Sequence, residues 1–383
     1  MVNPLHASAD DSLSDEVILI TGAGGSIGSA LAKRLAADAS RPLVLLDLSE
    51  QNLYEIHAEL GGAPASRSES QRAATCIPIL GDIRDAALLD DVFQKNRPTV
   101  ILHAAAFKHV PLMEQNPIAV IANNVLGTSV LAAAALKYRA RQLLMISTDK
   151  AVHPRSIMGA AKRIAELILL RQSSAATHMS SLRLGNVLGS NGSVVPLFQQ
   201  QIERGGPVSV THPDASRYFL PLDEAIDLIL SAAALDESSS ILVHELGAPV
   251  KILDLAQKMI AEAVTASSTR VGICAAGTST ASDRPAKIEI AFTGLRPGDK
   301  LHEELLSNSE TAEPTANPRL CRIRGPHLSA KIVDSAVELI SEKVTARDLP
   351  AAIEAIQVVV PDYVPSEALS SLIATQLSAA TKP

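Results

Sequence analysis

Residues 16–28 read EVILITGAGGSIG: an apolar pentad, Glu16–Ile20, running directly into Thr21-Gly22-Ala23-Gly24-Gly25-Ser26-Ile27-Gly28. The pentad predicts a strand, and the residues after Gly28 predict a helix to about Ala37. Glycines at 22, 25 and 28 permit a tight turn, a close backbone approach to a pyrophosphate, and tight helix–strand packing. The helix N-terminus at Ser26 and Ile27 then offers free N–H groups to phosphate. A lone glycine pattern is weak evidence, because a glycine-rich cap reads the same way. Its position between a strand and a helix favours dinucleotide binding.

The next segments repeat that rhythm. Leu43–Leu46 is a second strand ending at Asp47, at the spacing of a carboxylate that accepts from adenosine ribose hydroxyls. Leu48-Ser49-Glu50 supplies no arginine for a 2′-phosphate, so NAD is favoured over NADP. Asp47 is equally compatible with capping a helix at 52–60. Gly61–Ala74 reads as a surface loop. Cys76–Leu80 is a third strand, followed by Asp82 and Ile83. The Asp82 carboxylate either reaches the adenine amine or caps a helix starting near Ala86. Thr99–His103 is a fourth strand. After it, Ala104 and Ala105 are small where a backbone must lie against a flat cofactor, and Lys108 and His109 sit at the sheet's ligand edge. Asn116–Tyr138 is one long helix, in which Asn124 on an apolar face has to fix neighbouring backbone.

Gln142–Ile146 is a fifth strand and ends in Ser147-Thr148-Asp149-Lys150. A helix follows, carrying Met158 and Lys162 in its first turns. Met179–Leu184 is the sixth strand. Strands alternating with helices imply an α/β fold: a Rossmann-type doubly wound parallel sheet, with ligand at the carboxyl ends of its strands.

After residue 185 the alternation breaks. Gly185–Ser193, with Asn186, is a glycine- and serine-rich loop, and Pro196–Glu203 a short helix. Val208–Val210 is a strand, and residues 214–219 carry Arg217. Helix 223–233 and strand 241–246 return to the main sheet, and 250–264 is a helix of a smaller lobe. Ala266–Arg284 reads as a low-complexity loop. Ile288–Phe292 leads into Thr293-Gly294-Leu295-Arg296-Pro297-Gly298-Asp299-Lys300, where Arg296 and Lys300 look placed for an anion. The expected division is a tail at 1–14, a dinucleotide domain at 15–185 completed by 222–246, a lobe at 186–221 and 247–330, and a helical extension of two amphipathic patterns at 331–383.

Composition narrows the function. Of 383 residues 47% are hydrophobic and 20% charged, enough to fill a sizeable core. Aromatics are 2% and tryptophan is absent, which disfavours single-stranded nucleic acid held by stacking. The net charge of −7 gives no general affinity for polyanions, so no nucleic acid partner is expected and an anionic ligand needs local cations. Cys76, Cys274 and Cys321 are scattered without metal spacing, which suits a reducing compartment and no metal site. The acidic first fifteen residues have no apolar core, and no apolar run approaches the ~18–20 residues of a membrane span, so a cytoplasmic protein is expected.

Thr21–Gly28, His103–Glu114, Ser147–Lys162, Arg183–Phe198 and Thr293–Leu305 together resemble the extended short-chain dehydrogenase/reductases. More narrowly, STDKAV…MGAAK with TGLRPGDKLHEEL is similar to the bacterial nucleotide-sugar 4,6-dehydratases of polysaccharide biosynthesis, over roughly residues 15–325. That family's catalytic tyrosine, four residues before the lysine, is Met158 here. This exchange is similar to the configuration-retaining branch, whose substrate is UDP-N-acetylglucosamine. Many members carry an N-terminal membrane segment, which this sequence does not show. His153 stands where asparagine is common, and Asp299 where glutamate is common.

The resemblance implies an internal redox cycle with tightly bound, recycled NAD: oxidation at C4, loss of the C5 proton, departure of the C6 hydroxyl as water, and hydride return to C6. It makes Lys150 the C5 base, with a lowered pKa, and Asp149 the C6 acid, with a raised one. Lys162 holds the nicotinamide ribose, and Thr148 or a water carries the C4 hydroxyl proton in place of a tyrosine. Arg296, Arg217 and Lys108 would meet the diphosphate, and Asn186 to Ser193 the diphosphate or uridine. A homo-oligomer through the long helices is implied as well. The alternatives are a nucleotide-sugar 4-epimerase and a silent NAD- or UDP-sugar-binding protein.

Overall fold

The computed structural model describes residues 13–37, 41–61, 75–190, 192–244, 247–271, 288–326 and 328–380. The first half alternates: β1 (Ile18–Thr21), α1 (Ser26–Ala36), β2 (Leu43–Asp47), α2 (Glu50–Glu59), β3 (Cys76–Leu80), α3 (Ala86–Asn96) and β4 (Val100–His103). A short helix α4 (Val110–Gln115) and the long α5 (Pro117–Lys137) lead to β5 (Gln142–Thr148), α6 (Ile157–Gln172) and β6 (His178–Leu184). Then come β7 (Asn186–Val187), α7 (Val194–Glu203), β8 (Val208–Val210), β9 (Ser216–Arg217), β10 (Phe219–Leu220), α8 (Leu222–Leu235) and β11 (Ser240–His244). The chain ends with β12 (Val250–Lys251), α9 (Ile252–Val271), β13 (Ile290–Phe292), β14 (Thr311–Pro314), β15 (Leu320–Arg324), α10 (Ala330–Thr345), α11 (Leu349–Val359) and α12 (Glu367–Ala380).

Nine strands form one sheet in the order β14-β15-β11-β6-β5-β4-β1-β2-β3. Strands β3 to β11 of that order run parallel, and the β14–β15 hairpin closes the edge antiparallel. The order reverses between β1 and β4, so the ligand crevice of a doubly wound sheet opens above Thr21 and His103. The inner strands β1, β2, β4 and β11 are buried throughout, which matches their unbroken apolar runs. The smaller lobe pairs β8 with β13, β9 with β12 and β7 with β10 around Phe198, Val208, Val210 and Ile252. Residues 311–324, grouped with that lobe by sequence, extend the main sheet instead.

Other sequence expectations shift. Helix α9 runs to Val271, beyond the expected start of a loop at 266, and residues 272–284 of that loop lie outside the described residues. So do residues 1–12 of the expected tail, 62–74 of the expected loop, Asn191 and Cys274. Leu13 is fully buried in the core. The two helical patterns after residue 329 are three helices. Among the described residues one helix, α5 with 21 residues, is long and apolar enough to cross a membrane, against the expectation that no run approaches that length. It is apolar all round because it is packed in the core. The helices α10 and α11 bring Val333, Ala336, Ile340, Ile353 and Ile356 into the same core cluster as Val120, Val125, Ile164 and Ile168 of α5 and α6. The chain's own C-terminal helices therefore cover the long helices through which self-association was expected.

A buried charge cluster ties these layers together. Arg183 on β6 has no exposed surface. Its Nε and one terminal nitrogen donate to Glu166 on α6, each at 2.9 Å. Its terminal nitrogens also donate to Glu310 at 2.8 and 3.0 Å and to the Leu305 carbonyl at 2.9 Å. Ser147 Oγ at 2.7 Å and Arg163 at 2.8 Å complete the Glu166 shell. Burial alone would raise the Glu166 carboxyl, but Arg183, Arg163 and Ser147 hold it down at about 2. Its share of stability is present above the ordinary value of 4.5 and is lost as pH falls through about 2. Glu166→Gln is expected to cost about 3–5 kcal/mol in urea unfolding at pH 7. The gap from wild type should narrow below pH 4.5; a gap unchanged down to pH 3 would contradict this account.

Candidate active site

A cavity of about 970 Å³ runs from the glycine turn across the ends of β4, β5 and β6 to the smaller lobe. Gly22, Gly25, Ser26, Ile27 and Gly28 line one end. Gly22 has φ +67°, and a Cβ on it would lie 2.7 Å from the Ala105 backbone. A Cβ on Gly28 would lie 2.0 Å from the Gly22 carbonyl oxygen. Only glycine permits both approaches. Gly25 caps α1 without a side chain, and no acidic residue occupies the first turn, so the helix amides present positive potential to the cavity.

Asp47 clamps this turn. Its Oδ2 accepts from the Gly24 N–H at 2.9 Å and its Oδ1 from the Ser49 N–H at 2.8 Å. Ser49, not Asp47, caps α2. Likewise Asp85, not Asp82, caps α3, while Asp82 pairs with Arg84. Asp47, Asp82, Ile83, Ala105 and Asp149 do not reach the cavity wall; Ala104, Lys108, His109, Thr148, Lys150, Met158, Lys162, Asn186, Ser193, Arg217 and Arg296 do.

The wall between β4 and α4 is fixed from behind. Asn124 accepts from the Phe107 N–H and donates to the Phe107 carbonyl, both at 2.9 Å, from the π-turn Ala122–Leu126 within α5. An amide on an apolar helix face here replaces strand pairing for the segment carrying Lys108 and His109. His103 bridges Thr21 at 2.7 Å and Thr128 at 3.0 Å. The Thr128 hydroxyl donates to the Asn124 carbonyl, so His103 Nε2 must donate to Thr128 and Nδ1 must accept from Thr21. Full burial and the nearby Lys162 push its pKa down to about 3, leaving it neutral.

A cluster of hydroxyl, carboxylate and amine side chains meets at the end of β5. The Thr148 hydroxyl donates to Asp149 Oδ1 at 2.8 Å, and Lys150 Nζ donates to the same oxygen at 2.9 Å. Nζ also donates to Asn186 Oδ1 at 2.9 Å, with Glu303 at 3.6 Å. Asp149 is fully buried and its Oδ2 makes no hydrogen bond among the described groups. Burial would lower the Lys150 pKa, but Asp149 and Glu303 outweigh it and hold the ammonium above its ordinary range. The expected lowering is thus reversed, because two carboxylates face this amine. Lys162 is the amine that burial does lower, to about 8, against the opposing charge of Glu166; its Nζ donates to the Ile146 carbonyl at 2.8 Å.

The remaining cations are partly committed. Arg217 donates to the carbonyls of Ser216, Leu301 and Lys300 at 2.7–3.1 Å, binding the lobe together while it lines the cavity. Lys300 turns away to the Val152 carbonyl. Arg296 is exposed at the mouth and pairs with Asp299 at 2.8 Å. Partial burial pulls the Lys108 ammonium down. Burial, Lys108 and Arg296 lower His109. Ser193 Oγ is buried and unpartnered among the described groups, a hydroxyl available to a ligand. His153, in the asparagine position, has φ +36°, a region asparagine tolerates better than most residues. Sequence reasoning missed Glu303, Asp299 and Gly159 as parts of this site. Among the described residues no cluster suits a metal.

The family model described as "Polysaccharide biosynthesis protein" matches residues 18–325. The chain belongs to this polysaccharide biosynthesis family. It is 40% identical over 328 residues to the capsular polysaccharide biosynthesis protein CapD of Staphylococcus aureus, covering 85% of this chain and 51% of that one. It is 38% identical over 309 residues to the probable polysaccharide biosynthesis protein EpsC of Bacillus subtilis, covering 80% and 48%. The chain thus spans about half the length of these curated relatives. A UDP-glucose 4-epimerase of Rickettsia rickettsii is 29% identical over 307 residues, 78% of this chain and 80% of that one. Among solved structures, Pen from Bacillus thuringiensis superposes with TM-score 0.68 at 25% identity, covering 82% of this chain and 90% of that one. DesIV, a dTDP-glucose 4,6-dehydratase from Streptomyces venezuelae solved with NAD, shares the fold at TM-score 0.59 and 21% identity, covering 75% and 87%.

Gly159 sets the distance between α6 and the reactive loop, since a Cβ there would lie 2.2 Å from the Lys150 carbonyl oxygen. Gly159→Ala is expected to lower stability by about 1–3 kcal/mol. Gly247→Ala, where a Cβ meets nothing within 4 Å, should be neutral. Equal melting curves for the two variants would show that the loop yields freely.

Proposed function

We propose that this protein catalyses 4,6-dehydration of UDP-N-acetylglucosamine with a retained NAD, giving a UDP-4-keto-6-deoxy sugar of unchanged C5 configuration. The observation that carries the reading is the Thr148–Asp149–Lys150 constellation, hydrogen-bonded at 2.8 and 2.9 Å beside the cavity, with Met158 lining the wall where a tyrosine would serve a simple dehydrogenase. Methionine cannot exchange a proton, so acid–base work falls to the Asp149–Lys150 pair.

The cradle at Gly22, Gly25 and Gly28 fits a dinucleotide pyrophosphate, and NAD is bound by the DesIV dehydratase of the same fold. When bound, NAD supplies the acceptor and donor of one hydride. Lys162, buried near the end of β5, is suited to orient the cofactor ribose. Lys108 and Arg296 are the cations left for the diphosphate, and Ser193 and Asn186 offer neutral polar groups.

The pair in its resting form is an ammonium hydrogen-bonded to a carboxylate. Moving one proton 2.9 Å along that bond yields a neutral amine and a carboxylic acid, the two forms that C5 deprotonation and C6 departure require. Over a full cycle the C4 hydroxyl gives up one proton and the departing water takes one. The Thr148–Asp149 hydrogen bond offers a route between them, which favours Thr148 over a free water as the carrier.

Incubation with UDP-N-acetylglucosamine should yield a product lighter by one water, with a 4-keto-6-deoxy sugar in the proton NMR spectrum. Lys150→Ala and Asp149→Asn should fold, keep NAD and lose at least about a hundredfold in dehydration. An isomer of unchanged mass would instead support the 4-epimerase reading, which the Rickettsia relative motivates. Binding without any product would leave a silent binding protein.

A further inference from the structure

Glu303 is buried at 5% exposure, lies behind Lys150 and does not line the cavity. Its carboxylate faces three cations: Lys150 Nζ at 3.6 Å, Arg217 Nε at 3.7 Å and Lys300 Nζ at 3.9 Å. The last two are otherwise spent on backbone carbonyls, and Glu303 Oε2 makes no hydrogen bond among the described groups. A carboxylate with an unbonded buried oxygen is costly unless its charge is used. Arg217 is held by carbonyls of the loop that Glu303 belongs to, and Lys300 by the Val152 carbonyl. Lys150 and Arg217 both line the cavity, and of the two Lys150 is the one hydrogen-bonded to Asp149.

We infer that Glu303 is a positioning residue for the reaction proposed above: it stabilises the Lys150 ammonium that forms when the amine takes the C5 proton, and keeps that ammonium on one face of the sugar until it returns a proton to C5. The inference rests on the dehydratase reading. In the step concerned, a nicotinamide dinucleotide has already oxidised C4 to a ketone. The C5–H bond then breaks, its electron pair remains as the enolate of that ketone, and its proton goes to the Lys150 lone pair. The enolate pair expels the C6 hydroxyl, which leaves as water with the proton of Asp149. At that moment Lys150 is charged, and Asp149 and Glu303 are the two anions that face it. A proton returned from the same amine on the same face, after exchange with solvent, accounts for an unchanged C5 configuration.

The charged and titratable groups around Lys150 are Asp149 on its own turn, Arg217 from β9, and Lys300, Glu303 and Glu304 from the segment before β14. His302 bonds Ser216 at 2.9 Å, and His153 bonds Glu304 at 2.9 Å; Asn186 is neutral. Of these, Glu303 can be neutralised without touching a group that meets the cavity. The pair acts by shifting its one proton from Lys150 to Asp149, so the rate falls as pH rises through the Lys150 titration and that proton is lost. Removing the Glu303 charge moves that titration to lower pH and at the same time makes the amine a weaker proton acceptor.

The test compares wild type, Glu303→Gln and Glu303→Asp. The alkaline limb of the kcat profile should move to lower pH in Glu303→Gln while the plateau falls about tenfold. Glu303→Asp, which keeps the charge, should lie between. A limb that stays in place under a uniform loss of rate would overturn the inference and leave Glu303 a packing residue. In parallel, the Lys150 Nζ signal of 15N-lysine-labelled protein, assigned by its loss in Lys150→Arg, should titrate at lower pH in Glu303→Gln than in wild type without any sugar present. An unmoved titration overturns the inference even if dehydration is observed. A moved titration in a protein that dehydrates nothing would uphold the hold on Lys150 and overturn the dehydratase reading alone.

Discussion

A guanidinium with no exposed surface must find five acceptors within the protein, and Arg183 finds them in Glu166, Glu310 and the Leu305 carbonyl. Those acceptors come from α6 and from the segment that enters the edge hairpin. Satisfying one side chain therefore fixes the helix that carries Met158 and Lys162 against the sheet, and fixes the end of the segment that carries Arg296, Asp299 and Glu303. Ser147 joins the same network at the end of β5. The cluster holds two cations and two anions, Arg183 and Arg163 against Glu166 and Glu310, so it is neutral as a whole. That balance makes its burial tolerable.

The site inherits its character from this frame. Thr148, Asp149, Lys150, Met158 and Lys162 lie at the end of a strand or the start of a helix, and small residues set the spacings. Gly22 admits the Ala105 backbone, Gly159 admits the Lys150 carbonyl, and Asn124 secures the Phe107 peptide. Two lysines, the half-buried Lys150 and the buried Lys162, are tuned in opposite directions by what faces them. Lys150 meets two carboxylates, whereas Lys162 points at a carbonyl oxygen with Glu166 as its opposing charge.

Much of this was legible in the chain. The doubly wound sheet followed from short apolar runs alternating with helical patterns, and the glycine turn from three glycines placed between a strand and a helix. Asn124 declared itself by standing on an apolar face. Other features were not legible because they depend on partners far along the chain. Glu303 reads as one acid among three charges in a helical-looking run, and nothing local says that it lies 3.6 Å from Lys150. The lowered pKa expected for Lys150 failed for that reason. Asp82 and Asp85 are equally plausible caps by composition, and only backbone geometry selects Asp85. The apolar length of α5 was hidden by Asn123 and Asn124, and its covering by α10 and α11 could not be read before the fold was known.

We propose that Lys150 takes and returns a proton at C5 while Asp149 sends off the C6 hydroxyl. The most direct measurement is turnover of UDP-N-acetylglucosamine in deuterated water, with the product's C5 position read by NMR. The account predicts deuterium at C5 with the configuration there unchanged. A 4-keto-6-deoxy product whose C5 carries only the original hydrogen, or one with C5 inverted, would contradict it.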